Sequence, residues 1–129
     1  TPLDDTIPQN TEGTEFMTLA ITPAATSNKL LIEVVVNYAS SATNGRTIAL
    51  HQDSIANAIA CCHEQSAAEG DELIVMSFNH YMAAGTTSET TFKVRVGGSN
   101  SSTITFNGAS GARRNGGVLA SSITITEID

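Results

Sequence analysis

The stretch KLLIEVVVNYA, residues 29–39, carries apolar side chains on both of its faces. Successive strand residues point to opposite sides, so Leu30, Ile32, Val34, Val36 and Tyr38 share one face. Leu31, Glu33, Val35 and Asn37 share the other, a mixed surface suited to lying against a neighbour. LIVMSFNHYMA (73–83) repeats the pattern as an unusually continuous apolar strand. A strand packed on one core needs only one apolar side. Two strands with two such sides ask for cover beyond a single core.

Working outward, the period-two signal recurs. EFMTLAIT (15–22) alternates Met17, Leu19 and Ile21, and TTFKVRVG (90–97) sets Thr90, Phe92, Val94 and Val96 against Lys93 and Arg95. TIALHQD (47–53), NAIACCH (57–63) and STITFNG (102–108) read as further strands. A short helix competes only over 55–62, and the flanking pattern favours strand there. Gly, Asn and Ser clusters punctuate the chain. Asn44-Gly45, within SSATNGR (40–46), suits the positive φ angles of a hairpin turn. The chain closes on GGVLASSITITEID (116–129), with Leu119, Ile123 and Ile125 on one face and Val118, Ser122, Thr124 and Thr126 on the other. An edge strand so poor in charge invites pairing with another chain. A central place in its sheet, or one beside a subunit interface, is therefore expected.

Eight or nine short strands predict an all-β fold, an antiparallel two-sheet β-sandwich of jelly-roll type. One domain over 1–129 is expected, with 1–14 as an extended N-terminal arm. A chain of 129 residues buries about 65–70% of its unfolded surface, enough for an ordinary core. The first residue is not Met, as a fragment or the C-terminal head of a longer protein would show.

Composition narrows the function. The formal charge is −7 with only six Lys and Arg, which argues against a phosphate-tracking surface and so against nucleic-acid binding. No run of about 18 apolar residues is present, so no membrane-inserting helix is expected. Charged residues make up 15%, and 17 Thr and 13 Ser supply polarity in their place. The two cysteines, Cys61 and Cys62, are adjacent; a strained ring disfavours their pairing, so both read as thiols. On a strand they point to opposite faces, and one is expected in the core as a small hydrophobe.

No catalytic, metal or cofactor constellation emerges. CCHEQ (61–65) with His51 and His80 lacks the paired spacing of a zinc site. Asp4-Asp5 and Glu69, Asp71 and Glu72 lie in loops with nothing to hold them opposed as acid and base. Candidate ligand contacts are Arg113 and Arg114 in SGARRNGG, with Arg46 and Asn44 at the 40–46 turn, offering guanidinium groups to carboxylates or sulfates. His51, Gln52, Asp53, His63 and Glu64 form a candidate polar rim for a sugar. Leu31, Val35, Ile74, Met76 and Phe78 are the candidate interface, because a closed three-fold ring buries second apolar faces without making fibres; cover by loops or by the N-terminal arm is the alternative.

Three stretches, LDDTIPQNTEGTEFMTLAITP (3–23), HYMAAGTTSETTFKVRVG (80–97) and TFNGASGARRNGGVLASSITITEI (105–128), resemble domains of tail-fibre and related virion proteins of tailed bacteriophages. The resemblance spans Leu3 to Ile128 and is weakest over HQDSIANAIACCHEQSAAEGDE (51–72). It implies a trimeric β-sandwich head like the tumour-necrosis-factor and complement globular heads. The expected function is non-enzymatic: a virion component, homotrimeric and joined to other virion proteins, that attaches to a host-surface glycan or protein through loops 40–46, 64–72 and 108–117. The alternative is a capsid or tail decoration or trimerisation domain that touches no receptor.

Overall fold

The computed structural model describes residues 1–43, 45–65 and 70–129. Ten strands follow in chain order: β1 (Thr14–Ile21), β2 (Lys29–Ser40), β3 (Gly45–Gln52), β4 (Ala60–Gln65), β5 (Leu73–Ala83), β6 (Thr90–Gly98), β7 (Ile104–Phe106), β8 (Gly108–Ala109), β9 (Ala112–Arg113) and β10 (Ser122–Ile128). A 3-10 turn at Asn115–Gly117 is the only helical element among the described residues. The strand reading of 57–63 is met from Ala60 onward.

All pairings are antiparallel. One sheet has the order β1-β6-β3-β4, a second has β10-β2-β5, and β8 and β9 form a small ribbon. In the second sheet, β5 pairs with one edge of β2 along Lys29–Ala39. The other edge of β2 is shared: β10 takes Lys29–Val35 and β7 takes Tyr38–Ser40. β7 and β10 are thus two halves of one edge strand, with the chain between them looped out.

This corrects the central place expected for the closing strand, because β10 lies at a sheet edge. Its apolar density has a simpler cause. Ile123 and Ile125 point inward onto the core, whereas Ile128 has the opposite parity and is exposed. The Asn44-Gly45 turn does not make a hairpin either, since β2 and β3 belong to different sheets. Asn44 itself lies outside the described residues. Gly45 leaves room for the His63 ring, which a Cβ there would meet at 2.7 Å and turn aside.

Both four-stranded sheets feed one apolar cluster. β2 contributes Leu30, Ile32, Val34, Val36 and Tyr38; β3 gives Ile48 and Leu50; β6 gives Phe92, Val94 and Val96. Each such side chain contributes about 1.5–3 kcal/mol on leaving water. A bulge between Glu15 and Met17 lets neighbouring Phe16 and Met17 both reach the cluster. Phe16 stacks on Phe106, centroids 4.7 Å apart, joining β1 to β7.

The N-terminal arm covers the outer side of the first sheet. The Thr1 ammonium donates to the Gly98 carbonyl at 3.1 Å, and the Ala58 amide donates to Pro8 at 2.9 Å. Asn10 donates to the Ala56 carbonyl at 2.8 Å, while Arg95 donates to the Glu12 and Gly13 carbonyls at 2.7 and 2.8 Å. Beneath this cover β3 is buried on both faces from Gly45 to His51.

Arg46 is the outlier of this strand. Expected on an exposed turn, it points inward with no exposure, on the parity of Ile48 and Leu50. Its guanidinium lies 6.0 Å from the Tyr38 ring centroid and 3.9 Å from a Glu64 carboxylate oxygen, and its nitrogens make no hydrogen bond among the described residues. A buried cation is costly to isolate but is often replaceable by an apolar group of its size. We therefore expect Glu64→Ala to lower unfolding free energy by about 2 kcal/mol, and Arg46→Met to be neutral or stabilising. Urea denaturation of both single variants and the double variant checks this, with Glu64→Ala costing little once Arg46 is gone.

Candidate interface and projecting loop

The outer face of the second sheet has no arm over it. Pairing of Val36 with Met76 places these opposed residues on the same side, so Met76 is buried and Ile74 and Phe78 pack against the core. These three therefore do not form the outward surface expected of them. Leu31 and Val35 do lie on the outward parity, partly exposed. Their neighbours across the ladder are Leu73, Val75, Ser77, Asn79 and Tyr81. Val75 is 63% exposed and Tyr81 57%, with Leu73 and Ile128 also exposed. Sequence reasoning missed Leu73, Val75 and Tyr81 as contact residues because both faces of 73–83 are apolar. The pairing register with β2 was the signal that chooses between them.

A shallow groove of about 280 Å³ runs across this face, lined by Glu33, Val34, Val35, Ser77, Phe78 and Asn79. Glu33 sits in the middle, flanked across the ladder by Thr124 and Asn79. Its carboxylate has no hydrogen-bond or ion-pair partner among the described residues.

The chain between β7 and β10 projects from the edge beside this groove. Asn37 closes the base of the projection. Its amide donates to Ser121 Oγ and its side-chain nitrogen to the Ala120 carbonyl, both at 2.9 Å. The Asn37 carbonyl accepts from Asn107 at 2.8 Å, and Ser121 Oγ donates to Asn107 Oδ1 at 2.7 Å. Within the loop, β8 and β9 approach so closely that a Cβ on Gly108 would strike the Ala112 carbonyl. Arg113 and Arg114 are exposed, as the sequence suggested. The Arg113 guanidinium lies over Gly117, and Val118 is 86% exposed.

The other expected loops meet at one end. The Asp71 amide donates to Ser40 at 2.7 Å and the Ser41 amide to Thr103 at 2.9 Å. Residues 66–69 of the 64–72 loop lie outside the described residues. Arg113 and Arg114 are thus separated from Arg46, which is inside the fold.

The polar rim does not assemble. His51 is buried under the arm, whereas His63 is exposed with Nδ1 2.9 Å from Thr47 Oγ1. Asp53 instead anchors a turn, accepting from Thr90 Oγ1 and the Thr91 amide, each at 2.8 Å. Cys61 is exposed and Cys62 faces the core, where burial pushes its thiol up to about 11. Both are free thiols. A hollow of about 380 Å³ lies between Asp4–Pro8 of the arm and Ala58–Cys61. Hydrogen bonds from Thr6 hold the Asp4 carboxyl below its ordinary range. No cluster of three or more metal-ligating side chains occurs among the described residues. No protein-family model and no curated protein matches the chain.

Two measurements follow from these contacts. Burial, then the charge of Arg95, holds the His51 imidazole below its ordinary value, and neither ring nitrogen has a partner. Above about pH 6.5 the ring is neutral in both states. As pH falls from there through the lower folded value, the unfolded chain takes up the proton first, so stability is lost. Denaturation midpoints should fall between pH 7 and 5, and His51→Leu should flatten that slope. Asn37→Ala, which opens the base of the projection, should speed tryptic cleavage after Arg113 and Arg114, with a stability loss of about 2 kcal/mol.

Proposed function

We propose that the chain is a non-enzymatic virion component of a tailed bacteriophage. It acts as a trimeric β-sandwich head of jelly-roll type that holds a host-surface ligand with its projecting loops. The observation that carries this reading is the unequal cover of the two sheets. The arm lies over one outer face, while the other leaves Val75, Tyr81, Leu73 and Ile128 exposed beside Leu31 and Val35. Contiguous exposed apolar surface marks an association site. The face and the projecting loop occupy different parts of the molecule, so contact between them is head-to-tail, and a rotation of one third of a turn per copy closes it as the proposed ring.

The stapled base of the 107–121 loop supports the attachment role. It holds Arg113 and Arg114 out from a rigid sheet, in the manner of binding residues carried on scaffolded loops. Guanidinium groups so placed suit carboxylate or sulfate groups on a surface glycan.

Sedimentation equilibrium at micromolar concentration should give three copies per particle, and Val75→Asp with Tyr81→Asp should give single folded copies. A wild-type single copy contradicts the trimer. Purified trimer should bind host cells or a glycan array; binding to capsids or tails alone assigns decoration instead.

A further inference from the structure

We infer that the projecting loop of one copy docks in the groove of the next, with Arg113 or Arg114 against Glu33 and Val118 against Val35. This deepens the self-association proposed above and rests on it. The groove and the loop match in three respects.

The first is charge. Covering the outward face with another copy would take Glu33 out of water, which costs several kcal/mol unless a cation accompanies it. Three of the six cations are already engaged, which leaves Lys29, Arg113 and Arg114. Arg46 is inside beside Glu64, Lys93 donates to the Asp53 carbonyl, and Arg95 holds Glu12 and Gly13. The side chains of Arg113 and Arg114 have no hydrogen-bond or ion-pair partner among the described residues. A carboxylate without a cation and a cation pair without a carboxylate thus occur on opposite components of one molecule.

The second is apolar shape. Val118 is the most exposed of the large hydrophobic side chains, and it follows the two arginines by four residues. Val35 is the outward apolar side chain of the groove, with exposed Val75 on the same face and Ser77 and Asn79 as its polar margin. The third is placement. The loop does not lie in the groove of its own copy, since Val118 is open to water. The Asn37 staple and the bond from the Gly111 amide to Thr105 Oγ1 at 2.9 Å fix the base of the loop and leave Arg113, Arg114 and Val118 exposed to a following copy.

Charge exchange in the full chain tests this directly. Sedimentation equilibrium should show association weakened about tenfold or more by Glu33→Arg, and likewise by Arg113→Glu with Arg114→Glu. Combining all three substitutions should restore it. Val118→Asp should weaken it too, with an unchanged circular dichroism spectrum because the residue is exposed. If the wild type associates and the charge variants associate equally well, the docking inference falls while the bare-face trimer stands. If Lys29→Glu weakens association and the arginine variants do not, Glu33 has another partner and the inference again falls. A single-copy wild type overturns both readings.

Discussion

The second sheet hangs from the two edges of β2. Its eleven residues from Lys29 to Ala39 pair with β5 on one side, and its other side carries β10 and β7 in succession. The same strand sends five fully buried side chains, Leu30 to Tyr38, into the common core. A strand hydrogen-bonded on both edges and buried on its inner face has one surface left. That surface holds Leu31, Glu33, Val35 and Asn37. Asn37 is consumed in tying down the projecting loop, and the other three face outward with none of the described residues laid over them. The exposed face, the groove and the loop all inherit their positions from this one strand.

The first sheet met the same constraint and solved it within the chain. β3 is buried on both sides, because its outer residues Thr47, Ala49 and His51 lie beneath the arm. The solution has a cost in polar groups. His51 has no partner for either ring nitrogen, and Arg46 on the inner side has only Glu64 and the Tyr38 ring nearby. Such groups are weak contributors to stability and strong determinants of how stability responds to pH and substitution.

Much of the strand order was legible because period-two alternation and Gly or Asn breaks are local signals. LIVMSFNHYMA and TTFKVRVG became β5 and β6 with almost their expected bounds. The opposed faces of Cys61 and Cys62 were legible for the same reason. What failed needed long-range information. The closing strand was placed centrally because apolar residues were counted without knowing that β7 would share its side of β2. Ile74, Met76 and Phe78 were assigned outward because parity within one strand cannot say which side is the core. Arg46 was read from its neighbours in a turn, yet its parity with Ile48 and Leu50 carried it inside. The projecting loop was legible as a Gly-rich segment, but its staple at Asn37 joins residues more than eighty positions apart.

The account depends on the outward face of the β10-β2-β5 sheet being dry in the working particle. Hydroxyl-radical footprinting across a dilution series addresses this most directly, with Leu19 on the first sheet as an internal reference. The account requires oxidation of Tyr81 and Val75 to be suppressed at high concentration and to rise on dilution, while Leu19 reacts alike throughout. Equal oxidation of Tyr81 and Val75 at every concentration would contradict it.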